Sequence, residues 1–443
     1  MDPRDHRSLS CLFANANACN CIHAQSQPST FFYDDVTQPA PSALSVSRNG
    51  LASMPSQKSY LKLSGSSHFR QRIILSTLSG RAIEINDIRP SSESPGLAEH
   101  EASLLRLVEK VTNGCEVIIN ETGTRLRYRP GFVTGSPPGE HLHHDCGNVK
   151  SIGWYLEVLV LICMFGKYPL SMTLTGITND DVDVGVDTWR TVTLPLLRTV
   201  LHGDGDALAE RVVGGFELRI QKRGLPPEGG GEVVLSVPIT KGKIPPVSVL
   251  EEGLVKRVRG IAYGCRVSPS ITNRLVDGAR GVLNALLPDV YVFTDHMSGE
   301  KGGRSPGYGL LLVGETTSGR MVSAEVAEVS WANSASSASS VHRSQRVPED
   351  VGKEGACLLL EEVSKGGVVD SSHQGMLLLL CALGPEEINE VRLGPLTPHA
   401  VRTLRHLKEF LGVQFSVRPE NSSGTIFLSC IGAGVANSNK RLT

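Results

Sequence analysis

Over residues 1–57 the apolar positions keep no sustained period. The segment is rich in Ser, Asn, Pro and Ala and closes on SVSRNGLASMPSQK. Such a composition buries too little apolar surface to offset the entropy of ordering, so a disordered extension is expected there. Pattern begins at Tyr60. FRQRIILSTLSG is a short apolar segment, and RAIEINDIR alternates like a half-buried strand. After Ser94-Pro95-Gly96 the run AEHEASLLRLVEKVTNG has helical spacing and stops at Asn113-Gly114; CEVIINETG and TRLRYRPG then predict two strands around a turn.

The same succession returns twice. WYLEVLVLICMFG predicts a helix, PLSMTLTGIT a strand, residues 186–201 a helix, and FELRIQKRGLPPEGGGEVVLSVPI two strands joined by a Pro/Gly loop. Near the C-terminus GACLLLEEVSKGG and AVRTLRHLKEFLG predict helices, with MLLLLCALG apolar between them and VQFSVRP and TIFLSCIG as closing strands. Between these groups, residues 245–350 have their own strand, helix and three further strands, ending in the Ser/Ala-rich WANSASSASSVHRSQ, which predicts a surface loop. The expected fold is therefore α/β: a large domain of recurring units over 58–244 and 351–440, with a smaller α/β module inserted at 245–350.

Composition narrows the function classes. A formal charge of −1 confines nucleic-acid contact to local basic patches. The ten cysteines have no CxxC or zinc-ribbon spacing, which points to reduced thiols. No apolar run approaches the roughly 20 residues of a membrane span, so no membrane association is expected.

Five motifs carry candidate chemistry. RGLPPEGGGE, with Pro226, Pro227, Gly229, Gly230 and Gly231, lies between strands and lacks GK[ST] and GxGxxG, so it is a hairpin turn or a ligand-facing loop. HLHHDC, His141 to Cys146, has zinc-ligand residue types but no second cluster, and reads otherwise as a polar loop. The carboxylates Asp180, Asp181 and Asp183 fit Mg²⁺ or an Asp/Asn turn. The loop and turn readings are preferred, so no metal site and no cofactor are expected. Arg125, Arg127 and Arg129 alternate along one strand face and, with Lys256, Arg257 and Arg259, are candidates for RNA or partner contact. TPHAVRTLRHLKEFL starts a helix at Thr397-Pro398 with His399 in its first turn; Val401, Leu404, Leu407 and Leu411 are expected to face inward, and Arg405, His406 and Lys408 outward as a candidate RNA-cleaving or RNA-binding group.

Taken together, FRQRIILSTLSGR, KVTNG, RPG, HDC, GITND, RGLPPEGGGEVV, VRGIAY, the TDHM…SPGYGL…ETTSG run, LLEEVSKGGVVDSSHQ and LGPLTP…LRHLKEFLG closely resemble the RNA 3′-terminal phosphate cyclase-like proteins of eukaryotic ribosome biogenesis, over about residues 60–440. The resemblance implies three repeated units, each a four-stranded sheet with two helices, plus an inserted smaller α/β domain. True cyclases use ATP to adenylylate a histidine and close a 2′,3′-cyclic phosphate. Here their acid-containing EGGGQ-type segment is replaced by Ser64-Gly65-Ser66-Ser67-His68, their basic lead into PGL by Ser91-Ser92-Glu93-Ser94-Pro95, and their DQ pair by His373-Gln374. His399 falls at the position of their nucleophile. The implied role is a nuclear, nucleolar factor of the small-subunit processome without cyclase activity. It would serve early pre-rRNA cleavages in 40S maturation beside a ribosome-biogenesis GTPase, a small nucleolar ribonucleoprotein and pre-rRNA. An endoribonuclease or a residual ATP-dependent cyclase are the alternatives.

Overall fold

Alternation and helical spacing become four four-stranded sheets and their helices in the computed structural model, which describes residues 60–202, 212–213, 215–329, 346–420 and 422–437. The expected N-terminal extension and the Ser/Ala-rich loop lie outside the described residues. The first sheet runs in the order Leu61–Ser64, Ile83–Asn86, Leu126–Arg129, Glu116–Ile119, its first two strands parallel and the rest antiparallel. The second repeats these directions with Leu142–Asp145, Leu170–Gly176, Gly231–Val237 and Glu217–Lys222. The third does so with Ser248–Val249, Ile388–Leu393, Ile426–Ile431 and Ser416–Pro419. Strict alternation is what holds register: Leu170–Gly176 and Gly231–Val237 each bury every second residue.

Helices from all three sheet groups share one apolar core. Helix Phe69–Ser79 packs against Ile152–Cys163 and Pro398–Leu411, and the last also packs against Gln374–Leu383. FRQRIILSTLSG, read in sequence as a bare apolar segment, is thus a helix; its faces are buried by two other helices, so it shows no amphipathic period. Residues 186–201 form helix Val186–Thr188, a π-helical turn Trp189–Thr193 and helix Leu194–His202.

The fourth sheet, Val290–Met297, Val255–Cys265, Gly307–Thr316, Met321–Val329, has a separate core against helices Pro269–Leu283 and Pro348–Lys365. Pro348–Lys365 crosses the expected boundary at residue 350, since Val351, Ala356 and Leu359 belong to this second core. Ser248–Val249, placed in sequence with the inserted module, pairs instead with Ile388–Leu393 of the third sheet.

Candidate functional site

Helix Pro398–Leu411 sets the centre of the site. Thr397 caps it by accepting a hydrogen bond from the Ala400 N–H at 3.1 Å, and Pro398 fixes the first turn. The buried stripe is Ala400, Thr403, His406, Leu407 and Phe410, one residue round from the predicted Val401, Leu404, Leu407, Leu411 face. Val401 is exposed. The turn of the helix follows from what it meets: Gln71 of helix Phe69–Ser79 donates to Thr403 Oγ1 at 2.5 Å and receives His406 Nδ1 at 2.6 Å. His406 is therefore separated from Arg405 and Lys408, which stay exposed on the opposite side.

Three imidazoles collect here. His68, held with a left-handed φ of 56° just before helix Phe69–Ser79, stacks on His399 with ring centroids 5.5 Å apart and meets His406 edge-on at 5.8 Å. The His399 ring lies so close to Gly375 that a β-carbon there would collide with its Cδ2 and Nε2. Burial lowers the pKa of all three; His399 and Arg402 act further on His68, and Arg72, His68 and Arg402 on His406, which is pushed down to about 4. At neutral pH the cluster is an uncharged imidazole stack rimmed by guanidiniums. Arg72 donates to the Gly65 and Ser64 carbonyls at 2.6 and 3.1 Å and so fixes the segment leading to His68. Arg70 pairs with Glu157 and donates to the Trp154 carbonyl at 3.1 Å.

Beside His399 opens a cavity of about 170 Å³ lined by Arg70, Glu157, Trp189, Thr193, His373 and others. His373 receives or donates at both nitrogens: Nδ1 lies 2.7 Å from Asp370 and Nε2 2.8 Å from Thr193 Oγ1. Against the cost of burial, His373 and the hydroxyls of Ser372 and Ser323 hold the Asp370 carboxyl well below the usual range, and Asp370 raises His373. Gln374 braces the helix start, accepting from Thr397 N at 3.0 Å and donating to the Pro395 carbonyl at 3.0 Å.

The Pro/Gly loop stands elsewhere, as a clasp. Arg223, fully buried, donates to Asp187 at 2.6 and 2.9 Å and to Asp295 at 2.7 and 2.9 Å, under the Tyr263 ring. It thus ties the connections between strands of the second sheet to the fourth sheet. Backbone meets backbone next to it: Arg304 N donates to the Gly229 carbonyl at 3.0 Å and Arg223 N to the Lys301 carbonyl at 2.8 Å. Gly229 and Gly230 hold φ of +63° and +86°, and Pro226-Pro227 is cis. Glu325 completes the joint, accepting from Thr188 Oγ1 at 2.7 Å, Asn179 Nδ2 at 2.8 Å and Gly185 N at 3.0 Å; burial raises its pKa to about 7 in spite of these donors.

The remaining candidates are held by neighbours of their own. His141 contacts the Ser171 and Thr173 hydroxyls, His144 the Ser103 hydroxyl, and Cys146 is buried. Asp180 Oδ1 accepts from Val182 N and Asp183 N, the hydrogen bonding of an Asp turn. Among the described residues no group of three His, Cys, Asp or Glu side chains could hold a metal ion. On the first sheet, buried Glu84 pairs with Arg125 and Arg127, Glu116 with Arg129, and Tyr60 lies under the Arg127 and Arg129 guanidiniums. Arg257 pairs with Glu315 and Arg259 with Asp289, and Lys256 is exposed.

Sequence reasoning singled out His399 and missed His68, Arg70, Gln71, Arg72, Glu157 and Gly375. The signal available was polar residues, Arg70-Gln71-Arg72, inside an apolar run whose neighbours are all buried. The partners of Arg70 and Gln71 are remote in sequence, Thr403 lying 332 residues from Gln71.

Residues 61–417 match the protein family described as RTC, RNA 3′-terminal phosphate cyclase. A probable RNA 3′-terminal phosphate cyclase-like protein of Arabidopsis thaliana is 46% identical over 383 residues, covering 86% of this chain and 99% of that protein. Its Dictyostelium discoideum counterpart is 44% identical over 378 residues, covering 85% and 98%. The rRNA processing protein rcl1 of Schizosaccharomyces pombe is 40% identical over 383 residues, covering 86% and 98%. A solved EPSP synthase from Acinetobacter baumannii, at 10% identity and a TM-score of 0.22 over 85% of this chain and 64% of that one, is too remote to bear on fold or function. The chain belongs to the RNA 3′-terminal phosphate cyclase family.

Proposed function

We propose that this member of the RNA 3′-terminal phosphate cyclase family acts in ribosome biogenesis, as an rRNA-processing factor that keeps the cyclase scaffold without the cyclisation reaction. The observation that supports this reading most is the setting of His399. A histidine that takes up AMP needs groups that anchor the triphosphate and its metal; around His399 stand two further neutral imidazoles, and the Ser64–His68 segment has no carboxylate. The Ser64 hydroxyl instead donates to Asp87 at 3.0 Å. Similarity to a fission-yeast protein described as an rRNA processing protein supports the same direction.

In its finer form, the proposal places the chain in the nucleolus, in the early cleavages that lead to the 40S subunit, within the small-subunit processome and beside a ribosome-biogenesis GTPase and small nucleolar ribonucleoprotein. The three sheets of one strand order are copies of a single repeat, and the fourth sheet is the core of an insertion. Pre-rRNA phosphates meet Arg125, Arg127 and Arg129, the last two of which lie over the Tyr60 ring. Arg405 and Lys408 serve as outward contact residues. A binding role is favoured over an endoribonuclease because the only imidazole of that helical group, His406, is turned inward onto Gln71.

Depletion followed by mapping of pre-rRNA tests the proposal. Uncut small-subunit precursors accumulate if it is right; an unchanged rRNA pattern removes it.

A further inference from the structure

The fourth sheet ends on strand Val290–Met297, which among the described residues pairs only with Val255–Cys265. Tyr291 and Phe293 alternate along it, so both rings stand on one face, in edge-to-face contact at 4.6 Å and each 55% exposed. Farther across, the same face is closed by Val192 against Leu311 and Val313, so the open part is confined to the aromatic edge. In register, Arg259 lies opposite Tyr291 and Ile261 opposite Phe293, with Arg257 beyond. Two half-exposed rings have little reason to stand in water on their own account: aromatic side chains are large apolar surfaces, and packing them inward or replacing them by polar residues would remove the liability.

We infer that Tyr291 and Phe293 form a stacking platform for unpaired bases of single-stranded RNA, with Arg257 and Arg259 as phosphate contacts. The inference rests on the pre-rRNA reading and adds to it a second surface, away from Arg125, Arg127 and Arg129. Every base has a π face, so aromatic residues at alternate positions of a strand accept successive bases without regard to sequence. The two arginines already have carboxylate partners, Glu315 and Asp289, at 2.6 and 2.8 Å. The Arg257 pair is solvent-accessible, and Glu315 engages its Nε and Nη2 and leaves Nη1 for a phosphate oxygen; Arg259, held at Nη1 and Nη2 by Asp289, offers Nε. Asp289 and Glu315 also limit the net positive charge, which assigns more of the affinity to stacking than to counterion release.

The test is binding of a short fluorescein-labelled oligouridine to the full chain, followed by anisotropy. Tyr291→Ala with Phe293→Ala weakens binding about tenfold or more with little change in its salt dependence, and Tyr291→Trp restores it in the Phe293-intact chain relative to Tyr291→Ala. The Arg125→Ala, Arg127→Ala chain instead flattens the salt dependence. Both residues are exposed at an edge, so the double aromatic variant keeps the wild-type melting temperature. An aromatic variant that melts normally and binds oligouridine like wild type overturns the inference, as does loss of a protein partner with RNA binding intact, which would make the edge a protein site. Either failure leaves the rRNA-processing proposal standing if depletion still blocks precursor cleavage; normal processing on depletion refutes that proposal whatever oligouridine does.

Discussion

Two buried polar clusters in this chain solve opposite problems. At the Arg223 clasp every charge is answered: the guanidinium meets Asp187 and Asp295, and Asp187 also receives Asn179 and Arg190. Around His399 the imidazoles are kept neutral by burial and by the arginines near them, beside a cavity lined by both Arg70 and Glu157. The first arrangement holds two sheets together. The second keeps its imidazoles uncharged at neutral pH, at a cost in acid stability.

Breaking the clasp has the largest expected effect. Arg223→Met leaves Asp187 buried without its cation and lowers unfolding free energy by about 3–5 kcal/mol in urea titration, whereas His399→Ala changes it by only about 1 kcal/mol. Adding Asp187→Leu to Arg223→Met recovers part of the loss, since the uncompensated charge is then gone. Equal losses for the Arg223 and His399 variants would erase the contrast.

Glu325 comes next. Its carboxyl titrates at about 7 in the fold against the usual 4.5, so the folded chain holds a proton that the unfolded chain has released. Stability contributed by this group is present at acid pH and falls as pH rises between those two values, by about 2–3 kcal/mol. Chemical denaturation at pH 5 and pH 8 reads the slope, and Glu325→Gln flattens it.

The histidine cluster gives the smaller slope of opposite sign. His406 ordinarily titrates near 6.5 and here at about 4, so stability is lost as pH falls across that window. About 1–2 kcal/mol is expected. His406→Asn removes the loss.

How far all this was legible varies with the reach of the interactions. The alternating strands 170–176 and 231–237 and the helix 269–283 follow from local period and caps, because one face of each meets one core. Helix Phe69–Ser79 was hidden because its residues are buried almost all round. For Pro398–Leu411 the helix and its Thr397 cap were legible, but its facing was not: Ala400 and Thr403 are as small on the page as any surface residue, and only Gln71, arriving from the far end of the chain, turns His406 inward. His399 could be found by counting along the final helix, while its companion His68 had no local signal beyond a glycine and serines before it. The Pro/Gly loop was readable as a strand–loop–strand turn, and its buried Arg223 was not, since a lone arginine beside a glycine turn reads as surface.

The central claim is that His399 sits in a cyclase scaffold without taking up AMP. Incubating the chain with α-labelled ATP and Mg²⁺, then separating protein from nucleotide under denaturing alkaline conditions, measures it directly. No label on the protein is expected. A label on wild type that is absent from His399→Ala would contradict it.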